Sequence, residues 1–142
     1  MLYQLAVAEK LRPADQDEVF AASGLGPYDA LRECYRRSTK CFSVVECGHA
    51  IAMFGSARLT RGSSSVWLLS TDRLIFWRIW FLRSSRVWLE ELRDSERLFI
   101  ARIDARNAAH VRWLEWLGFV IADRMEGYAF EERLFLEYRR VF

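Results

Sequence analysis

The sequence predicts an α/β fold in which helices flank a central, mostly antiparallel mixed sheet. Three observations support this: helix and strand patterns are interleaved, apolar residues are abundant, and no repeat or linker divides the chain. Hydrophobic residues make up 52% and aromatic residues 15% of the 142 residues, which is enough for one well-formed core. An interleaved order fits helices packed on the faces of one sheet, so residues 1–142 are expected to form a single domain.

The first part of the chain is predicted to contain one strand and two helices. Residues 2–11 are mostly apolar and are assigned as a strand. Asp15 is the predicted N-cap of the following helix, and Glu18 completes a capping-box pattern. A glycine-rich stretch at 23–27 ends that helix, and apolar residues at helical spacing predict a second one over 28–39.

The rest of the chain alternates between strands and helices. A hairpin comes first, with strands 41–46 and 50–59 joined by a Cys-Gly-His turn. A short apolar strand follows at residues 66–70, and a long amphipathic helix at 72–94. The chain then continues with a strand at 97–105, a helix at 108–117 and strands at 119–125 and 134–141. The predicted order is therefore β-α-α-β-β-β-α-β-α-β-β.

Composition and charge argue against several classes of function. The net charge is only +2 and the arginines are balanced by nearby acids, so a nucleic-acid partner is not expected. Three cysteines and two histidines form no paired ligand spacing, so no metal site is expected. No apolar stretch is long enough to cross a bilayer and no signal peptide opens the chain, so we expect a cytoplasmic protein without membrane association.

The segment NAAHVRWLEWLGF, from Asn107 to Phe119, carries the most specific pattern in the chain. An Asn is followed by an amphipathic helix and then, eleven residues after the Asn, by Gly-Phe, with predicted strands on both sides. This pattern resembles the second half of the acyl-CoA N-acyltransferase core of the GNAT superfamily. The resemblance implies the GNAT fold across the chain, acetyl-CoA as cofactor, and a cofactor contact from Asn107.

A closer resemblance is to the GNAT-like internal virion protein A family of short-tailed phages. It depends on an apolar segment before Gly55, a Trp-led strand that ends in Ser70 and Thr71, and an Arg-rich helix after that strand. It also depends on the Asn-x-x-His pattern from Asn107 to His110. The resemblance implies a phage or prophage protein that resides in the bacterial host cytoplasm or in the virion.

Two features of GNAT enzymes are missing from this sequence. Residues 70–77 replace the pyrophosphate-binding loop and contain no glycine, so bulky side chains would obstruct the approach of backbone N–H groups to phosphate. Leu114 occupies the position of the tyrosine acid, and leucine has no proton to donate. The leading hypothesis is therefore a catalytically degenerate protein that acts in virion structure or assembly.

An acyl-CoA-dependent N-acetyltransferase with an atypical cofactor site is one alternative. Its candidate cofactor contacts are Leu69, Ser70, Arg73, Arg78 and Asn107. Its candidate bases are Glu46, His49 and His110. Asn107 and His110 also have structural explanations, as a helix N-cap and as a packed core residue. An enzyme is expected to show a V-shaped gap between the fourth and fifth predicted strands, with free backbone N–H groups at Ser70 and Thr71.

A protein that binds a virion or host protein is another alternative. The chain has six tryptophans, too many to bury without crowding, and Trp and Arg are enriched at binding hot spots. We therefore expect a Trp- and Arg-rich surface that contacts a protein partner. A host-binding modulator is expected to expose a contiguous apolar patch, whereas a scaffold protein is expected to fill the V-shaped gap with Phe76 or Trp77.

Overall fold

The structure, a computed structural model, describes residues 2–142, except for the side chain of Leu2. The α-helices are α1 (Leu2–Glu9), α2 (Pro13–Ser23), α3 (Pro27–Arg37), α4 (Arg78–Arg93) and α5 (Ala108–Trp116). The strands are β1 (Lys40–Glu46), β2 (His49–Thr60), β3 (Ser63–Ser70), β4 (Leu98–Asp104), β5 (Val120–Tyr128) and β6 (Arg133–Val141). A 3₁₀ helix, Asp72–Trp77, leads from β3 into α4.

The strands form one sheet in the order β1-β2-β3-β4-β6-β5. All neighbouring strands are antiparallel except β3 and β4, which are parallel. This confirms the predicted α/β class with a mixed, mostly antiparallel sheet. The single parallel pair lies in the middle of the sheet, where the chain crosses over through the 3₁₀ helix and α4.

The predicted first strand over residues 2–11 is wrong, because this segment forms α1 and the turn after it. Gln4, Val7, Ala8 and Leu11 are all buried, each at most 7% exposed. Their spacing of three, four and seven residues places them on one face of a helix. That face packs on an apolar cluster beneath the sheet that includes Met53.

Two further predicted elements have different boundaries. The long helix predicted over residues 72–94 is divided into the 3₁₀ helix and α4, with the junction at Trp77. The predicted loop before the central strand is a tight turn, because Ser63, Ser64 and Ser65 already pair with β2 and β4. Gly62 has a φ of 85°, so the turn uses a backbone conformation that favours glycine.

The core lies on both faces of the sheet. The larger cluster packs α4 and α5 against one face around Phe81, Phe99 and Leu114. The smaller cluster packs α1 and α3 against the other face around Val7 and Leu31. Within the described residues, no helix is both long and apolar enough to cross a membrane.

Candidate active site

The parallel strands β3 and β4 are paired over only three residues each. Ser63, Ser64 and Ser65 pair with Leu98, Phe99 and Ile100. Beyond that point β3 stays paired with β2 as far as Ser70, and β4 stays paired with β6 as far as Asp104. The two strands therefore separate towards their carboxyl ends. We call this V-shaped opening the fork.

A group of polar side chains lies at the open end of the fork, and we call it the fork cluster. Its members are Arg12, Asp15, Glu18, Ser70, Asn107 and His110. They come from the start of α2, the end of β3 and the start of α5. Asp15, Ser70, Asn107 and His110 are each at most 3% exposed. Buried polar groups require hydrogen-bond partners, and the members of the fork cluster supply most of these partners to one another.

Asp15 is the centre of the fork cluster. Its carboxylate accepts hydrogen bonds from the Ser70 backbone N–H at 2.9 Å and the Ser70 hydroxyl at 3.3 Å. The Asn107 side-chain amide donates to it at 2.9 Å and the Arg12 guanidinium at 3.1 Å. Arg12 also donates to the Asn107 carbonyl oxygen at 2.8 Å. Four donors on one carboxylate hold the ends of α2, β3 and α5 together.

This role replaces two predicted helix caps. Arg12 occupies the N-cap position of α2 and Pro13 is its first residue, so Asp15 lies inside the first turn and caps nothing. Glu18 likewise forms no capping box. Asn107 does occupy the N-cap position of α5, but its side chain makes no capping hydrogen bond. It donates to Asp15 instead, so the predicted capping contact of Asn107 is wrong.

Glu18 carries a carboxyl group whose pKa is raised. Its Oε1 accepts a hydrogen bond of 2.8 Å from the Asp104 backbone N–H at the tip of β4. Burial raises the pKa of Glu18 to about 8, and the nearby charge of Asp15 raises it further, while the Asp104 N–H lowers it. Glu18 thus exchanges a proton close to neutral pH, as a general base or acid must.

His110 is neutral at physiological pH. Burial lowers its pKa to about 4, and although the Asp15 charge raises it, the Arg12 charge lowers it. Nε2 lies 3.4 Å from Asp15 Oδ1 but has no hydrogen-bond partner among the described residues. A neutral, buried imidazole beside two carboxyl groups can relay a proton without adding a charge.

Asp15, Glu18 and His110 bring one ligand atom each to within 4.8 Å of one another. Two carboxylates and an imidazole form a donor set that suits a divalent metal. The Arg12 guanidinium, however, already contacts the Asp15 carboxylate at 3.1 Å. Its positive charge would repel a cation at that oxygen, so the arrangement favours proton transfer over metal binding.

Two cavities meet at the fork cluster. The larger one, which we call the groove, has a volume of about 770 Å³ and lies between the 3₁₀ helix, the start of α4 and α5. The smaller one, the inner cavity, has a volume of about 130 Å³ and lies between α2, α3 and the strands of the fork. Both are lined by Leu68, His110 and Trp113. The groove and the inner cavity therefore share a wall that includes His110.

The groove has an apolar wall and three basic side chains. Its apolar lining includes Leu74, Phe81 and Trp113, while the basic side chains are Arg12, Arg78 and Arg112. Trp113 stacks on Phe81 with ring centroids 5.9 Å apart. Arg78 donates only to the Ile75 carbonyl, and Arg112 forms no ion pair with a described residue. A long ligand with an apolar part and an anionic part would match this lining.

The backbone N–H groups at the end of β3 are not free, contrary to the expectation for an enzyme. The Ser70 N–H donates to Asp15 at 2.9 Å, and the Thr71 N–H donates to the Ile51 carbonyl at 2.9 Å. The Thr71 hydroxyl also donates to Ile51 at 2.8 Å and does not cap the 3₁₀ helix. A backbone cradle for phosphate is therefore missing at this position, and anion binding would depend on arginine side chains.

Phe76 and Trp77 do not fill the fork, as they would in a scaffold protein. Phe76 is 69% exposed and lines the groove, and Trp77 is 45% exposed. Ile75, Ile79 and Trp80 are exposed as well, and we call these five side chains the exposed apolar strip. The fork itself stays open towards the groove.

The candidate residues predicted from the sequence fall into three places. Ser70, Asn107 and His110 lie in the fork cluster, and Arg78 lines the groove. Leu69 packs in the smaller core cluster and lines the inner cavity. Glu46 and His49 lie at the β1–β2 hairpin, where His49 is exposed. Arg73 of the 3₁₀ helix donates a hydrogen bond to Glu46, as does Trp77, and so points away from the fork cluster. The structure thus brings together only part of the predicted set.

Sequence analysis did not assign Arg12, Asp15, Glu18 or Trp113 to a site. One signal was available for the two acids. Because Pro13 is favoured at the first position of a helix, Asp15 had to lie in the first turn and not at the N-cap. Its carboxylate was therefore free for another role. Nothing in the sequence indicated that this role lies beside Asn107, which is 92 residues away.

Known structures of low sequence identity share this architecture. The smu.2055 protein of Streptococcus mutans is 12% identical, with a TM-score of 0.72 over 97% of this chain and 91% of that one. A ribosomal-protein-alanine N-acetyltransferase of Brucella melitensis is 18% identical, with a TM-score of 0.60 over 81% of this chain and 76% of that one. A GNAT-family acetyltransferase of Bacillus anthracis is 11% identical, with a TM-score of 0.62 over 82% and 73%.

The sequence itself matches no protein-family model and no curated protein. The chain nevertheless has the fold of GNAT acetyltransferases, as the structural similarities show. At identities of this size the similarity establishes the fold, and the activity has to be argued from the site.

Proposed function

We propose that this protein is an acyl-CoA-dependent N-acyltransferase whose chemistry takes place at the fork cluster. The observation that carries the proposal is that the groove and the inner cavity share a wall at His110, while Glu18 lines the inner cavity. Two substrates can approach each other there from opposite sides of the sheet. Structural neighbours that are N-acetyltransferases support the same reaction class.

The groove fits the acyl donor through side chains. Its apolar wall around Leu74 and Phe81 suits an acylated thiol arm, and Arg78 and Arg112 suit the phosphates. When bound, acetyl-CoA supplies the acyl group as an activated thioester. The backbone N–H groups of Ser70 and Thr71 take no part, because both are already bonded within the protein.

Glu18 is the proposed proton acceptor for the incoming amine. It lines the inner cavity, and its pKa of about 8 makes its carboxylate a stronger base than an ordinary glutamate. Asp15 holds the surrounding polar groups in place and its charge helps to keep that pKa high. The Asp104 N–H donates to Glu18 Oε1 at 2.8 Å and so holds the carboxyl group in position beside the inner cavity.

The position that holds a tyrosine acid in GNAT enzymes supplies no general acid in this protein. Leu114 is buried with 1% exposure in the larger core cluster. Tyr138 is also buried and its hydroxyl donates to Glu115 at 3.3 Å, outside both cavities. A slower reaction than in enzymes that have such an acid is therefore expected.

Thermal unfolding with acetyl-CoA tests the donor site directly. At a hundred times the dissociation constant, a ligand of the native state adds roughly 2.7 kcal/mol and raises the midpoint by several degrees. Arg78→Gln and Arg112→Gln should each reduce this shift, because each removes a positive charge from the groove. The matched control is Arg73→Gln: Arg73 lies in the 3₁₀ helix but is bound to Glu46 at 2.7 Å.

A saturable shift that weakens in the two groove variants and persists in the control supports the proposal. An unchanged midpoint in the folded wild-type protein would refute it. Transfer itself is then measured as thiol release from acetyl-CoA in the presence of a primary amine, with mass spectrometry of the acylated product.

The exposed apolar strip favours a second function, binding of a protein partner. Its five exposed residues are consecutive or nearly so, and Arg73, Arg78 and Arg83 lie among them or beside them. Phage origin, loss of catalysis and a role in virion assembly stay predictions from the sequence resemblance. Cross-linking of the wild-type chain and of a Phe76→Ser/Ile79→Ser variant in its native host would test the strip, with loss of partners in the variant expected.

A further inference from the structure

We infer that the amine acceptor is a small, apolar monoamine that binds in the inner cavity. This inference rests on the proposed function and adds the class of acceptor to it. The inner cavity lies on the α2 and α3 side and is lined by both Glu18 and His110, whereas the groove is lined by His110 but not by Glu18. The acceptor must therefore be accommodated there for its nitrogen to reach Glu18.

The size of the inner cavity limits the acceptor. Its volume is about 130 Å³, against about 770 Å³ for the groove. The inner cavity is therefore about one sixth the volume of the groove, and it suits an acceptor that is much smaller than the acyl donor.

The lining of the inner cavity sets the chemistry of the acceptor. Val19, Val66 and Leu69 form an apolar wall around the Glu18 carboxyl group. Cys34 adds to this wall as a neutral thiol, because burial raises its pKa to about 11. One carboxyl group in an apolar enclosure matches one amino group with an apolar body.

The rim of the inner cavity opposes a second positive charge. Arg102 lines the cavity and donates to Glu137 at 3.1 Å, and Arg139 donates to the same carboxylate at 2.7 Å. Two arginines and one glutamate leave this group with one net positive charge. A diamine would place its distal ammonium group close to it, so monoamines are favoured over diamines.

The test compares three kinds of acceptor in the presence of saturating acetyl-CoA. They are isobutylamine as the small apolar monoamine, spermidine as the polyamine, and a tetrapeptide with a free alanine N-terminus. We expect kcat/KM for isobutylamine to exceed that for the other two by at least tenfold. We also expect isobutylamine alone to shift the NMR resonances of the inner-cavity methyl groups of Val19 and Leu69, a readout that needs no turnover.

Two substitutions on α2 should change acceptor size in opposite directions. Ala22→Phe introduces a bulky ring at the exposed rim and should lower the affinity for isobutylamine at least tenfold. Val19→Ala enlarges the cavity and should move the preference towards hexylamine. The control is Asp17→Phe, a ring of the same size on an exposed position of α2 that lines neither cavity.

Preference for spermidine or the peptide, or an unchanged isobutylamine affinity in Ala22→Phe, would overturn the inference. The outcome also separates the two proposals. If acetyl-CoA fails to stabilise the wild-type protein, the proposed acyltransferase function is refuted. If acetyl-CoA binds but isobutylamine neither shifts the methyl resonances nor is acylated, only the proposed class of acceptor is refuted.

Discussion

The two arms of the fork are built differently. The arm formed by α2, β4 and α5 holds buried polar groups in defined hydrogen bonds, with Asp15 and Glu18 at their centre. The arm formed by the end of β3 and the 3₁₀ helix offers no free N–H at Ser70 or Thr71, and its arginines are exposed. The arm proposed to handle protons is thus preorganised, whereas the arm proposed to bind anions depends on exposed side chains.

This difference changes the interpretation of the missing glycine loop. Judged from residues 70–77 alone, the chain has lost a functional feature of its fold. The hydrogen bonds show that the same segment has another task, because the Ser70 N–H and hydroxyl hold Asp15 in the fork cluster. A backbone N–H can serve either a phosphate or a buried carboxylate, and here it serves the carboxylate.

The largest effect is expected for Asp15→Asn, which breaks the centre of the preorganised arm. All four partners of Asp15 are donors, so an amide NH₂ group would face a donor and Arg12 would lose its counter-charge. We expect a loss of about 3 kcal/mol in the free energy of unfolding, or roughly 10 °C in the midpoint. Urea unfolding measures it. The control is Asp72→Asn on the exposed arm, and equal stability of the two variants would contradict the comparison.

Glu18→Gln should separate catalysis from stability. Glutamine keeps the shape of Glu18 and can still accept the Asp104 N–H, but it cannot take up a proton. We expect kcat for acyl transfer to fall by about a hundredfold or more, with the acetyl-CoA-induced thermal shift unchanged. Retained turnover in this variant would remove Glu18 from the mechanism. A parallel loss of acetyl-CoA binding would instead show that Glu18 supports the groove.

The pH dependence of stability tests the buried, titratable groups of the preorganised arm. The pKa of Glu18 is raised from 4.5 to about 8, so the native state binds more protons and its stability falls as pH rises through that range. The pKa of His110 is lowered from 6.5 to about 4, so its contribution is present above pH 6.5 and is lost as pH falls to 4.

The two contributions oppose each other below pH 6.5 and leave only the decline due to Glu18 above it. We therefore expect a plateau of maximal stability from about pH 4.5 to pH 6.5, followed by a decline towards pH 8 of at most about 1.4 kcal/mol per pH unit. Urea unfolding at a series of pH values measures the profile. In Glu18→Gln the decline above pH 6.5 should disappear, and a decline that persists would assign it to another group.

The smallest effect is expected for Ser70→Ala. The hydroxyl donates to Asp15 at 3.3 Å, but the Ser70 backbone N–H donates to the same oxygen at 2.9 Å and is unaffected by the substitution. The loss of stability should be about 1 kcal/mol or less, measured by urea unfolding. A loss as large as that of Asp15→Asn would mean that the hydroxyl, not the backbone, positions Asp15.

Sequence patterns alone were sufficient for most of the fold. Strand and helix patterns from residue 28 onward match the observed elements closely. The segment from Asn107 to Phe119 lies between two strands, β4 and β5, as predicted. These elements have strong periodicity, which local sequence determines. The N-terminal error has a physical reason too: residues 2–11 are apolar enough for a strand, and only burial of Gln4, Val7 and Ala8 on one face distinguishes a helix.

The site was decided by tertiary structure to a much larger extent. Asn107 and His110 were identified from a local motif, because their spacing on a helix is a property of the sequence. Their contacts with Arg12 and Asp15 join positions more than ninety residues apart, and these depend on where β3 and β4 separate in the sheet. No local pattern encodes that separation. Local sequence therefore determined the elements and the motif, whereas the packing of α2 against the open fork decided which polar side chains contact one another.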